Sequence, residues 1–157
     1  MNKKRILYIN PVGQPDADND IRAYLESARN ETTEIEVVSL RKGPHHLEYH
    51  YYEALVGVEV LHLIKQAEKN GYDAAIIGCF YDPFLREARE ICDRIVVTAS
   101  AESSLHLAAT MGDTFSIIVG RKKMDSIHAP HRFKLRLRRE GGVFQNIGAW
   151  RAGFSCR

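Results

Sequence analysis

The sequence predicts an α/β protein in which a parallel sheet is flanked by helices. Two observations carry that reading. Short, β-rich apolar runs alternate along the chain with segments of helical period, and each run stops in loop-forming residues. In such sheets ligands bind beyond the carboxyl ends of the strands, so the residues that follow each run are the first candidates for function.

The first run, Ile6-Leu7-Tyr8-Ile9, is stopped by Asn10-Pro11-Val12-Gly13 and reads as a buried strand followed by a turn. A helix is expected from about Asp20 to Arg29, where Ile21, Tyr24, Leu25 and Ala28 fall on one face. Ile35 to Leu40 forms a second strand, broken by Gly43-Pro44. From about Glu53 to Lys69 apolar residues repeat at helical period, and Asn70-Gly71 ends that helix. Ala74 to Ile77 is a third strand. Phe84 to Ile91 then reads as a short helix, with Asp82 as its N-cap and Pro83 at its first position. Ile95 to Val97 is a fourth strand, Ser100 to Met111 a helix closed by Gly112, and Phe115 to Val119 a fifth strand ending at Gly120. The first, third and fifth strands are expected in one sheet, with Asn10 and Cys79 on one rim. Beyond Pro130 the rhythm fails. Lys134 to Arg138 alternates as a strand does, but the rest of the tail has no period that buries a face, and poor packing is expected there.

With 157 residues the chain suits an ordinary domain that buries a core without staples. No apolar run reaches the roughly 20 residues that a membrane helix needs, and the start of the chain lacks a signal-peptide core, so a cytoplasmic location and no membrane contact are expected. Three cysteines, Cys79, Cys92 and Cys156, form no C-x-x-C pair, which argues against disulfides and structural zinc. The net charge of +2 conceals an asymmetry: the tail from His131 onward has seven Lys/Arg against Glu140 alone. A short basic terminus is ordinarily solvated, so nucleic acid is not expected as a partner. Self-association is left open.

Cys79 is the sharpest candidate for chemistry. It follows a buried strand and precedes the expected helix start, where backbone N–H groups and the helix dipole favour a thiolate. The alternative is a small buried hydrophobe. Asn10 ends the first strand on the same rim, and its amide both donates and accepts, which suits a ligand with amide or carboxylate groups; stabilising its own turn is the alternative. Cys92 is expected in the core, and Glu102, Ser103 and Ser104 as helix caps. His106 is expected to be packed or exposed rather than catalytic. The seven histidines make no H-x-x-x-H pair on a helix, and phosphate-loop signatures are missing, so no metal centre and no nucleotide site are expected.

Taken together, Tyr8-Ile9-Asn10-Pro11, Ile76-Ile77-Gly78-Cys79-Phe80-Tyr81-Asp82-Pro83, Ala101 to Ala108 and Ser116 to Gly120 resemble the hydantoin racemases of the aspartate/glutamate racemase superfamily, over about residues 4 to 130. The resemblance implies two α/β lobes facing across a cleft, each supplying one cysteine, and no cofactor. It divides the chain into a first lobe over 1–98, the start of a second over 99–130 and an atypical basic tail over 131–157. It further implies racemisation of 5-substituted hydantoins by proton transfer at C5. Cys79 is then one acid/base, and Asn10, Phe80, Tyr81, Val119 and Gly120 line the positions that contact a hydantoin-like cyclic amide. The family's second cysteine has no counterpart, since Cys156 follows no apolar strand. The second lobe is therefore expected to be truncated, by a shifted reading frame or a genuine truncation. A related substrate (allantoin, aspartate or glutamate) and a non-catalytic module that binds a small ligand are the alternatives.

Overall fold

A computed structural model describes residues 3–112 and 115, together with the backbone of strands at 116–119, 136–139 and 144–146. The chain divides into two compact units, Met1–Ser103 and Ser104–Arg157. In the first, strands β1 (Lys4–Asn10), β2 (Thr33–Ser39), β3 (Ala74–Ile77) and β4 (Val96–Ala99) form a parallel sheet in the order β2-β1-β3-β4. Between them run α1 (Asp18–Ala28), α2 (His50–Lys69) and α3 (Leu85–Ile91), and α4 (Ser100–Met111) leaves β4 directly.

The core lies on one face of this sheet. Leu7 and Ile9 of β1, Ala75 and Ile77 of β3, and Val97 and Ala99 of β4 alternate onto it, each at most 5% exposed. Against them α2 sets Val56, Val60, Ile64 and Ala67, spaced four, four and three residues apart and all buried, while Leu85 and Ala88 of α3 close the same layer. Each fully buried Val or Ile contributes about 1.5–3 kcal/mol, so this layer dominates the stability of the unit. The other face carries Ile6, Tyr8 and Asn10 of β1 and Ile76 of β3. It is more open: α1 buries no residue completely.

Each connection between successive parallel strands of this sheet runs through a helix, as parallel pairing requires. From β1 the chain moves outward to β2, then returns past β1 to β3, so β1 and β3 part company at a topological switch point. Their carboxyl ends carry Asn10 and Gly78-Cys79.

Two sequence expectations need correction. The fifth strand, β5 (Ser116–Val119), does not join β1 and β3. It pairs in parallel with β6 (Arg136–Arg139), and β6 pairs antiparallel with β7 (Phe144–Asn146), so the strand expected from Lys134 to Arg138 belongs to this second sheet. Alternation specifies a strand but not its sheet. The second correction is that α3 begins at Leu85, not at Asp82-Pro83. Asp82 and Phe84 both take left-handed backbone, at φ 48° and 60°, and the Asp82 carboxylate turns away from α3 to cap α4. The packing of the rest of the tail lies outside the described residues.

No helix among the described residues is long and apolar enough to cross a membrane.

Candidate active site

Asn10 and Cys79 meet on the carboxyl rim because β1 and β3 are adjacent and in register, Ile9 opposite Ile77, and the Gly78 N–H extends the ladder by donating to the Ile9 carbonyl at 2.8 Å. The chain then turns tightly. Cys79 donates its N–H to Ile77 O at 3.0 Å, and its own carbonyl accepts the Asp82 N–H at 3.0 Å. The thiol-bearing residue is therefore fixed through its backbone on both sides. Its side chain is half-buried and packs against the core layer under α2.

The loop from Gly78 to Phe84 is held in an uncommon shape by three anchors. The Asp82 carboxylate accepts the N–H of Ala101 at 2.7 Å and of Glu102 at 2.6 Å, which satisfies the first turn of α4 and complements its dipole. Pro83 is fully buried. Phe84 lays its ring against α2 at Gly57, where an added Cβ would come within 2.5 Å of the ring. Left-handed backbone at a non-glycine residue costs about 1–3 kcal/mol and persists only where the surroundings over-determine it. Two such residues in a row of three, beside a cysteine, mark this loop as the strained part of the unit.

The expected helix N-terminus is absent beside the sulfur, because α3 starts six residues after Cys79 and the carboxylate of Asp82 occupies the start of α4. The same rim carries a polar group at the end of β1. Asn10 is 8% exposed, and its amide nitrogen donates to Ser39 Oγ at 2.9 Å and lies 3.5 Å from Asp18 Oδ1. Ser39 in turn donates its hydroxyl to Asp18 at 2.6 Å and its N–H to the other carboxylate oxygen at 3.1 Å. Asn10 is thus oriented by a network tied to α1 and β2, which is more than a residue stabilising its own turn.

Tyr8, read from sequence as one position of an apolar strand and of a stretch that carries the family resemblance, belongs to this rim as well. Its phenol lies over the Gly78 backbone: a Cβ at residue 78 would sit 2.3 Å from Tyr8 Cζ and 2.4 Å from its oxygen. Burial raises its pKa above the ordinary 10, and the neighbouring charge of Cys79 raises it further. Nothing in the sequence pattern separates such a residue from a core aromatic.

Phe80 is 37% exposed at the tip of the loop, and Tyr81 is half-buried against the core layer. Val119 ends β5 in the other unit, where only its backbone is described, and Gly120 lies outside the described residues, as does Cys156. Glu102 makes a two-pronged ion pair with Arg89, at 2.6 and 3.1 Å, and Ser103 shares a 2.6 Å hydrogen bond with Thr98; neither side chain caps its helix in these contacts. His106 is exposed, and His45 is hydrogen-bonded to Gln14. A groove on the outer side of α2, lined by Arg41, Leu55, Val58 and His62 among others, includes no residue of this rim.

Comparison with known proteins adds a second line of observation. Residues 6–133 match the family model described as Asp/Glu/Hydantoin racemase. The chain is 38% identical over 114 residues to a hydantoin racemase of Pseudomonas sp. (strain NS671), covering 73% of this chain and 45% of that protein. It is 32% identical over 115 residues to a hydantoin racemase of Paenarthrobacter aurescens, with 73% and 48% covered. The chain therefore spans about half the length of the curated relatives it matches. Among solved structures, allantoin racemase from Klebsiella pneumoniae superimposes with a TM-score of 0.75 at 32% identity, covering 82% of this chain and 53% of that one. Allantoin racemase from Pseudomonas fluorescens gives 0.71 at 17% identity, covering 88% and 61%, a likeness of fold.

Proposed function

The chain belongs to the Asp/Glu/hydantoin racemase family, and from that premise we propose that it contributes one half-site of a cofactor-independent racemase acting on 5-substituted hydantoins, with Cys79 as the acid/base on one face of the substrate. The observation that carries the reading is the juxtaposition of Cys79 and Asn10 at the carboxyl ends of two adjacent parallel strands, on a loop held in strained backbone. Such a rim is where this class of sheet binds small ligands.

The chemistry asked of the residues is proton transfer. The C5–H of a hydantoin is acidic because the adjacent ring carbonyl accepts the electron pair that the departing proton leaves. A thiolate at Cys79 takes that proton, and return of a proton to the same face restores the substrate while delivery to the opposite face inverts it. Asn10 presents its buried amide to the polar groups of the ring, and Phe80 and Tyr81 offer aromatic surface to the 5-substituent. The resemblance adds Val119 and Gly120 to the proposed set of contacts. Inversion needs a second acid/base on the far side. Cys92 does not qualify, since it precedes β4 at the amino edge of the sheet, opposite to Cys79. Allantoin, itself a 5-substituted hydantoin, is the second substrate reading, favoured by the likeness at 32% identity to an allantoin racemase structure.

The test is to dissolve a single enantiomer of a 5-substituted hydantoin in deuterated water and follow loss of the C5–H signal together with optical rotation. Exchange catalysed by the native chain and lost in Cys79→Ser supports the reading. Exchange no faster than the buffer background, or undiminished in Cys79→Ser, removes it.

A further inference from the structure

Tyr8 is a polar group at the rim that the chemistry above leaves unused. It shares a strand face with Asn10, two residues further on. Its ring is locked by Gly78, whose missing side chain leaves the space that the phenol fills. The hydroxyl therefore stands over the residue just before Cys79, and among the described residues it has no hydrogen-bond partner. An O–H held in a fixed, half-buried position over Gly78, near enough to Cys79 to feel its charge and spent on nothing among the described residues, is suited to a ligand.

We propose that Tyr8 is a further catalytic residue, whose hydroxyl donates a hydrogen bond to the carbonyl oxygen adjacent to C5 of a hydantoin held at Cys79; the inference rests on the racemase reading above. In the step it serves, the C5–H bond breaks and an S–H bond forms on Cys79. The C5 electron pair moves into a double bond to the neighbouring carbonyl carbon, and the carbonyl pair moves onto oxygen. Tyr8 holds that oxygen with a hydrogen bond and keeps its own proton. On reversal the sulfur returns the proton to carbon, and no other reactant is needed.

The chemistry of a phenol fits this role better than that of a cation. A lysine or arginine would attract the thiolate itself and hold it as an ion pair, whereas a neutral donor stabilises the oxyanion that develops only in the transition state. Burial, and then the charge of Cys79, raise the Tyr8 pKa above the ordinary 10, which favours the neutral phenol.

The experiment compares the native chain with Tyr8→Phe, which keeps the ring over Gly78 and removes only the O–H. Two quantities are read: C5 deuterium exchange of a 5-substituted hydantoin, and the rate of iodoacetamide alkylation of Cys79. The expected result is exchange about 10- to 100-fold slower in Tyr8→Phe, as for loss of one oxyanion donor, with alkylation within about twofold of native. Exchange within about twofold of native overturns the role of Tyr8 and leaves the racemase reading standing. Exchange and alkylation falling together also overturn it, since Tyr8 would then act on the thiol. A native chain that exchanges no C5 hydrogen defeats the racemase reading, and the role of Tyr8 falls with it.

Discussion

Cys79 and Cys92 are both half-buried and both pack against the same core layer, yet they stand in opposite chemical settings. Cys79 lies at the carboxyl rim, after a strand, in a loop with two left-handed residues and beside a protonated phenol. Cys92 ends α3 at the amino edge. There burial pushes its thiol pKa up first, and the Glu68 carboxylate pushes it further. Glu68 is itself locked in the ionised form: it is 7% exposed, accepts the N–H groups of Asp93 at 2.8 Å and Arg94 at 2.7 Å, and pairs with Lys65 at 2.7 Å, which lowers its pKa to about 2. Equal burial therefore leaves the two thiols distinguishable: they lie at opposite edges of the sheet, and burial and the Glu68 carboxylate raise the pKa of Cys92.

The contrast breaks most readily in labelling. At pH 8 iodoacetamide is expected to modify Cys79 at least about 10-fold faster than Cys92, because the thiolate is the nucleophile and Cys92 is held as thiol. Peptide mapping after timed quenching reads both rates in one sample, and equal rates would erase the distinction. Gly78→Ala is expected to destabilise the first unit by about 1–3 kcal/mol in urea titration, since the new methyl meets the Tyr8 ring and neither strand can give way. A neutral result would mean that the rim is looser than its contacts imply.

Asp82→Ala should cost about 1 kcal/mol, the usual worth of a helix cap, whereas Asp82→Asn should retain much of it because it keeps an acceptor oxygen and tolerates left-handed backbone. The smallest effect sharpens the Cys92 side. The Glu68 pKa is lowered on folding, so its contribution to stability is fully present above about 4.5 and is lost as the pH falls toward 2. Glu68→Gln should lower the urea midpoint by about half a molar at pH 7, with the two curves converging below pH 3. A gap that persists at low pH would assign the effect to packing.

Local patterns made some of this molecule legible and left long-range choices unread. β3 and α4 appear with the bounds that the sequence implies, Ala74–Ile77 and Ser100–Met111, because breakers flank the first and glycine closes the second. The start of α3 differs from the expected one because Asp82-Pro83 imitates a cap and first turn, while the carboxylate serves a helix that begins at Ser100. Glu68 was invisible for a related reason: in a helical repeat a charged residue reads as the solvent face, and only the fold brings the Asp93–Ile95 backbone to it. Cys79 and Asn10 could be named from their positions after strands. Tyr8 could not, since its distinction is the glycine across the sheet.

The pairing of β1 with β3 has a consequence for how the molecule comes into being. Tyr8 and Asn10 leave the ribosome before Gly78 and Cys79, which follow only after β2 and the whole of α2 have been made. Until then the centre of the sheet has an empty lane beside β1, open to any strand edge that it meets. The rim is among the last features of the first unit to assemble, and a nascent chain paused before β3 already has its asparagine but not yet the strand that brings Cys79 to the same rim.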